Sequence, residues 1–294
     1  AIAGVNLDYV DPNGEWYVLD IYDEQFYSSN YSPEQDDQFQ KEELKGNLSL
    51  SPRLAISHPI TEVSKLYFNY GHYQQMPIAQ DLYRIRRGNN NEVINMGDPI
   101  IPMAKTISYE LGYDHALKEM YLIHLSAYYK DILDQQDYTE YISANSKVIY
   151  YQLTSNSYED IRGLEFELAK IRGDWITGQV NYEYRVNTSG YFGVKKYFEN
   201  PSEQRYYILK NPKQSKPRPT PRIKSVIDFH TPLQFGPKIA GQYLFGDWHI
   251  NILSCWRTGS WFTYNPNNVP GIEYNVHYKD NYSFDLKFSK SIQI

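Results

Sequence analysis

The chain has 294 residues, a formal net charge of -6 at pH 7 and a mean hydropathy of -0.63. This acidic balance, with a pI of about 5.7, argues against a general nucleic-acid-binding protein, which needs a basic surface. The sequence contains no run of about 20 apolar residues, which excludes a helical membrane protein. Its single cysteine, Cys255, excludes an intramolecular disulfide.

About ten segments alternate apolar and polar residues, and this period of two predicts β-strands. In the segment at 105–131, Tyr109, Leu111 and Tyr113 place apolar side chains on one face. A turn at 116–118 is short enough to predict an antiparallel hairpin. In chain order, we predict strands at residues 2–10, 47–57, 65–73, 105–115, 119–131, 148–170, 175–186, 222–231, 248–257 and 281–292, with a bulge near Asn156 in the longest of them.

The connections between these strands are alternately long and short. Long loops are predicted at about 11–45, 74–104 and 187–221, with a medium loop near 134–146 and one more outer loop at 258–280. The turns between them are short, apart from a moderate connection that begins at 236–237. A soluble β-sandwich has no reason to lengthen every other loop, whereas a membrane β-barrel has short periplasmic turns and long extracellular loops. The aromatic content of 16% suits the girdles at the two membrane interfaces. The pattern therefore predicts an all-β, antiparallel transmembrane β-barrel segment of about ten strands.

Several segments carry a family resemblance. They are Leu50-Ser-Pro-Arg-Leu-Ala-Ile-Ser57, Leu66-Tyr-Phe-Asn-Tyr-Gly-His-Tyr73, Met76-Pro77, Ser108-Tyr-Glu-Leu-Gly-Tyr113, Gly163-Leu-Glu-Phe-Glu-Leu168 and Trp256-Arg-Thr-Gly-Ser-Trp-Phe-Thr-Tyr264. In this order and spacing the chain resembles the barrel of TonB-dependent outer-membrane receptors, especially those of Bacteroidetes-type bacteria.

The resemblance implies a receptor in the bacterial outer membrane rather than an enzyme. Such a barrel has about 22 strands and a plugged lumen. It imports a scarce small-molecule or glycan ligand, such as a siderophore or other iron chelate, cobalamin or an oligosaccharide. The implied partners are outer-membrane lipid, the receptor's own plug domain and the TonB complex. Residues 1–294 would then be a partial barrel, with a plug before it and closing strands after it.

The two faces of the strands and the two ends of the barrel give two sets of candidate residues. The residues on the polar face of the strands should face the lumen or the plug: Glu110, Asp114, Glu165, Glu167, Asn181, Glu183, Arg185, Asp228 and Arg257. Receptors of the resembled family bind at the extracellular mouth. There, arginines can grip carboxylates or phosphates and aromatic faces suit sugars or aryl chelates. The candidates in these loops are Tyr83, Arg84, Arg86, Arg87, Tyr191, Tyr197, Trp261 and Tyr264.

Two other classes remain open. In a soluble carbohydrate-binding β-protein, the apolar faces of the strands would be buried between two sheets. The residues buried in that case would be Tyr109, Leu125, Phe166, Val180, Ile252 and Phe284. An outer-membrane protease of the omptin family has a similar size and an Asp-x-His pair, which Asp228 and His230 match. The seven histidines show no HxH or HExxH spacing and no Gly-rich phosphate loop is present, so we predict no metal and no cofactor.

Overall fold

The computed structural model describes residues 1–211, 214–215, 218–239, 241–267, 269 and 271–291. Ten strands form one antiparallel meander in which each strand pairs with the next along the chain. They are β1 Ile2–Val10, β2 Asn47–Thr61, β3 Ser64–Gln75, β4 Ala104–Leu117, β5 Tyr121–Ile142, β6 Ile149–Lys170, β7 Ile176–Tyr191, β8 Arg222–His230, β9 Trp248–Arg257 and β10 Asn281–Lys290. Within the described residues, β1 and β10 are the two edges of this meander and do not pair with each other.

The predicted strands are confirmed, and several are longer than the alternation indicated. β5 continues to Ile142, where a loop was predicted from residue 134, and β7 continues to Tyr191 instead of ending at 186. The predicted end of the last strand, Ile292, lies outside the described residues. Strands whose ends rise out of a membrane no longer need an apolar face, so their alternation fades before their hydrogen bonding does.

One face of the sheet is apolar over all ten strands, and we call this face the apolar band. Register keeps it continuous, because Tyr109 pairs with Tyr129, and Tyr113 with Leu125. The residues that a sandwich would bury are exposed instead: Tyr109, Leu125, Phe166, Val180 and Phe284 are 36–64% exposed and Ile252 is partly exposed. The alternative of a soluble sandwich is therefore wrong, and the band has the arrangement of a lipid-facing barrel wall.

The other face, the polar face, is held together by side-chain hydrogen bonds between its strands, one of which reaches across an intervening strand. Tyr67 donates to Glu110 over 2.8 Å, and Asp114 lies 2.6 Å from a ring nitrogen of His124. Tyr128 donates to Glu183 over 3.2 Å. In the register, Glu165 pairs with Glu183, and Glu167 pairs with Asn181, whose side chain donates a hydrogen bond to it. Arg185 lies 4.0 Å from Glu183. Asp228 of β8 and Arg257 of β9 lie on the same face. Whether these residues contact a plug stays a prediction.

β5 and β6 have 22 residues each, about twice the 9–11 that a tilted strand needs to cross a bilayer. Their outer halves extend beyond the other strands, so one edge of each is free there. A loop strand pairs in parallel with each free edge: residues 93–96 pair with β6, and residues 196–198 pair with β5. We call this extension the upper sheet. The loop strands are Glu15–Tyr17 with Lys41–Glu43, Ile85–Arg87 with Val93–Met96, Lys196–Phe198, Arg218–Pro219, Lys238–Ile239 with Gln242–Tyr243, and Trp261–Phe262 with Val276–His277.

The loops also contain short helices. These are α1 Glu24–Tyr27, a 3-10 helix at Pro33–Gln38, α2 Ala79–Leu82 and α3 Pro201–Lys210. None of the helices in the described part of the chain is long and apolar enough to cross a membrane.

A small hydrophobic core lies outside the barrel wall, between the first two long loops and the upper sheet. We call it the outer core, and its buried members are Phe26, Tyr27, Val93, Met96, Val148 and Tyr150. Tyr27 stacks on Tyr150 with ring centroids 4.0 Å apart, and Tyr150 stacks on Tyr141 at 5.3 Å. The long loops are therefore folded on the upper sheet.

Candidate functional site: a cavity at the mouth

A cavity of about 1230 Å³ opens on the polar face at the end of the sheet that carries the long loops. Its floor is formed by the outer ends of β3 to β7, including Thr106, Ile132 and Ser189. Its sides come from the loop after β7, with the end of α3, and from the loop before β10. We call it the mouth cavity. Because its lining comes from segments that are distant in sequence, only the folded loops create it.

Amide, hydroxyl and aromatic groups dominate the lining of the mouth cavity. The residues include Gln75, Gln135, Gln136, Gln214, Asn211, Asn265, Ser157, Ser215, Thr263, Tyr158, Tyr191 and Tyr274. The charged side chains on the described lining are Asp137, Lys195, Lys210 and Glu273, and their charges cancel. Two of them form an ion pair, with Lys195 Nζ 2.5 Å from the carboxylate of Asp137. The part of the lining that the structure describes therefore offers many hydrogen-bonding groups and no net charge.

A double bulge in the β5–β6 pair shapes one wall of the mouth cavity. In the register, Thr154 pairs with Asp137 and Ser157 pairs with Gln135. Three steps along β6 therefore match two along β5, so β6 contains one extra residue there. The bulge predicted near Asn156 is confirmed. The Asn156 carbonyl accepts from the Phe192 amide over 2.7 Å, and its side chain donates to the carbonyl of Val194. These bonds place the segment with Lys195 beside the cavity.

Helix α3 forms another wall. Asn200 caps its first turn by accepting from the Ser202 amide over 2.9 Å, and proline at the first helical position suits this start. Its last turn brings Ile208, Leu209 and Lys210 to the cavity. Burial raises the pKa of Tyr207 to about 12, and the neighbouring Tyr191 adds to this shift. The sequence prediction placed an irregular loop here, although Asn-Pro followed by helix-forming residues is a signal for a helix start.

The structure places one of the eight predicted ligand-binding residues, Tyr191, on the lining of the mouth cavity. Arg87 lies elsewhere, in contact with the outer core. Its guanidinium carbon is 3.3 Å from the ring centre of Tyr31, and Nη1 donates to the Phe26 carbonyl over 2.9 Å. These contacts give Arg87 a structural role in joining the first two long loops. Ligand contact by Arg87 stays a prediction.

The remaining predicted residues lie around the loops. Tyr83 contacts Trp16 edge-on, Arg84 forms an ion pair with Asp81, and Arg86 is exposed. Tyr197 stacks on Tyr141, 5.2 Å between ring centroids; Trp261 packs against His277, 4.5 Å between ring centroids; and Tyr264 is 62% exposed. Ligand contact by these residues stays a prediction.

The model of the family described as TonB dependent receptor-like, beta-barrel matches residues 2–291. The chain belongs to the TonB-dependent receptor β-barrel family. The predicted family and fold are thereby confirmed. This family consists of outer-membrane transporters and receptors rather than enzymes. No curated protein sequence matches the chain.

Solved structures of TonB-dependent receptors resemble this barrel. A structure titled copper transporter OprC superimposes with a TM-score of 0.53 at 13% identity, over 99% of this chain and 37% of that one. The chain thus spans about a third of the length of that protein. The Serratia marcescens hemophore receptor HasR, in complex with HasA and heme, gives a TM-score of 0.42 at 11% identity over 90% of this chain and 44% of that one. The FrpB iron transporter from Neisseria meningitidis gives 0.36 at 10% identity, over 83% and 39%.

Membership of the TonB-dependent receptor family overturns the alternative of an omptin-like protease. Asp228 and His230 do approach each other, with Oδ2 and Nδ1 3.1 Å apart. They lie on the polar face at the end with the short turns, far along β8 from the mouth cavity. His249 of β9 completes this group, and the sequence analysis missed it because the two histidines are separated by the connection at 231–247. Because His230 and His249 lie next to the two ends of that connection, the sequence did indicate that they could be neighbours in the antiparallel pair.

Proposed function

We propose that this chain forms part of the barrel wall of a receptor in the bacterial outer membrane that imports its ligand with energy from TonB. In this proposal a plug domain and further strands complete the barrel, and the polar face contacts the plug. The continuous apolar band supports contact with lipid. The family membership supports a role in transport.

We further propose that the ligand is a neutral oligosaccharide and that it binds first in the mouth cavity. The observation that carries this proposal is the lining as described, which combines amides and hydroxyls with tyrosine faces while the charges of its described residues cancel. An anionic iron chelate would favour a cationic site with arginines that bind oxygen ligands in pairs. The mouth cavity is open on one side, and its volume of about 1230 Å³ is above the roughly 300–1,000 Å³ of small-molecule sites, which supports a ligand of several sugar units.

Direct binding measurements test the ligand class. The receptor, purified in detergent, is titrated calorimetrically with neutral oligosaccharides prepared from starch, xylan and mannan, and separately with ferric citrate. We expect one oligosaccharide to bind and ferric citrate not to bind. Binding of ferric citrate alone would show that the proposed ligand class is wrong.

A pair of tyrosine variants locates the site. Tyr191→Ala removes an aromatic face from the mouth cavity, whereas Tyr206→Ala removes an exposed tyrosine of α3 that is not on its lining. We expect the first change to weaken oligosaccharide binding about tenfold, a loss of about 1.4 kcal/mol, and the second to have no effect. Equal effects would place the site elsewhere. Uptake of the bound sugar by cells with and without TonB then tests the energy source.

A further inference from the structure

Three metal-binding side chains converge on the polar face at the end of the sheet with the short turns. Asp228 and His230 belong to β8, and the register places His249 of β9 directly opposite His230. Asp228 Oδ2 lies 3.1 Å from Nδ1 of His230 and 2.9 Å from Nδ1 of His249. The two rings stack with their centroids 5.5 Å apart, and the three side chains are 16–32% exposed. This group is separate from the mouth cavity.

The second nitrogen of each ring faces an oxygen. His230 Nε2 is 2.8 Å from the carbonyl oxygen of Gly173, and His249 Nε2 is 3.4 Å from a carboxylate oxygen of Asp247. The carbonyl oxygen of Gly173 and the carboxylate oxygen of Asp247 can only accept, so they can hold each ring in the neutral tautomer that carries its hydrogen on Nε2. In a neutral ring Nδ1 then presents a lone pair. In that tautomer the Nδ1 lone pairs of both rings point toward the Asp228 carboxylate, an arrangement that a bound cation stabilises.

Metal sites in proteins use this same arrangement. A histidine that binds a metal through one nitrogen usually donates the other N–H to a carboxylate or a backbone carbonyl, which fixes its tautomer. The three potential ligand atoms here lie within 4.8 Å of one another. In addition, Asp228 Oδ1 is buried and has no hydrogen-bond partner among the described residues. Two imidazoles and one carboxylate with an open fourth position are a known donor set for zinc.

We propose that Asp228, His230 and His249 bind a divalent transition-metal ion of the Zn²⁺ type, with water as the fourth ligand. The ion joins β8 to β9, and the Gly173 carbonyl extends the link to the turn between β6 and β7. This function is distinct from ligand capture at the mouth. The site stabilises the end of the barrel wall opposite to the loops.

Cobalt titration of the intact receptor in detergent tests the proposal, because tetrahedral Co²⁺ absorbs visible light and Zn²⁺ displaces it. We expect one Co²⁺ per chain with a tetrahedral spectrum, and a higher thermal unfolding midpoint when Zn²⁺ is added. Asp247→Asn should weaken metal binding about 10–100-fold, since it removes only an outer contact. His249→Ala should weaken it more than Asp247→Asn does.

His58→Ala is the matched control, because His58 is near the same end of the sheet but lies exposed on the opposite face. Its metal binding should equal that of the unmodified protein. Asp228→Asn keeps the shape of the side chain, and circular dichroism confirms that each variant retains its sheet. The proposal is wrong if no tetrahedral spectrum forms, or if folded His249→Ala and Asp228→Asn bind Co²⁺ as well as the His58→Ala control.

Discussion

The outer core and the apolar band use the same kinds of side chain in opposite environments. Phe26 of the outer core is completely buried, whereas Phe284 of the band is 64% exposed. Water surrounds the loops, so their apolar groups must pack against one another. In the proposed outer-membrane setting lipid surrounds the wall, so its apolar groups can face outward. The two regions should therefore respond differently to the same kind of substitution.

The largest expected effect is in the outer core. Phe26 contacts Tyr17, Tyr27, Tyr31 and Phe39 in addition to the Arg87 guanidinium. Phe26→Ala should destabilise the folded loops by about 3–5 kcal/mol. Limited proteolysis should then cut within residues 11–46 while circular dichroism of the sheet is unchanged. Ile100→Ala, at a position 68% exposed, is the control and should leave the cleavage pattern as it is. Intact loops in Phe26→Ala would contradict this role.

The next effect is in the apolar band. Ile56 lies on the band, and its neighbour Ser57 lies on the opposite face. Ile56→Arg should destabilise the protein by about 2–4 kcal/mol in lipid bilayers if it lies near the bilayer midplane. Ser57→Arg should cost far less, because it faces the polar side. Unfolding by urea in vesicles measures both, and equal losses would show that the band does not face lipid.

A pH effect on the loops gives a second test of the outer core. Burial raises the pKa of Tyr27 from 10.0 to about 12, with further contributions from Asp23 and Asp20. A raised pKa of the folded state means that this stability is fully present below pH 10 and is lost as the pH rises toward 12. The maximum loss is about 3 kcal/mol.

Subtilisin cleavage of the loops, followed from pH 9 to 12, measures this loss. Tyr27→Phe removes the ionisable hydroxyl, which contacts Met96, but keeps the ring that stacks on Tyr150. Its loops should therefore lose less resistance above pH 10 than those of the unmodified protein. Identical pH profiles for the two proteins would exclude Tyr27 as the group responsible.

The smallest expected effect is at the boundary between the two regions. Asp134 lies in the β5 bulge with a φ of 55°, in the left-handed region that β-branched residues avoid. Asp134→Val should cost about 1–2 kcal/mol, and Asp134→Gly should be close to neutral. Hydrogen exchange of residues 132–137 measures the change. A neutral Asp134→Val would mean that this backbone conformation relaxes without cost.

The sequence predicted the barrel wall well because its rules are local. Period-two alternation and short turns determine which residues share a face, as the pairing of Tyr113 with Leu125 confirms. The outer core could not be predicted in this way, since Phe26, Val93 and Tyr150 come from three separate segments and no period links them.

The mouth cavity was only partly predictable for the same reason. Tyr191 was identified as an aromatic residue of a predicted extracellular loop, but the lining contributed by α3 depends on how that long loop folds back. The approach of His230 to His249 depends on the register of one strand pair, which a 17-residue connection at 231–247 does not specify.

The double bulge of β5 and β6 has an evolutionary consequence. In a regular strand pair, inserting one residue moves every later side chain to the opposite face. Here the extra residue between Thr154 and Ser157 is matched by one in β5 between Gln135 and Ile132, so the register resets within a few residues. Insertions and deletions between the bulge and the loops can therefore accumulate without turning the side chains of the apolar band to the polar face. Related receptors can in this way differ in their extracellular loops and mouth cavity while the strands of the wall keep the same pattern.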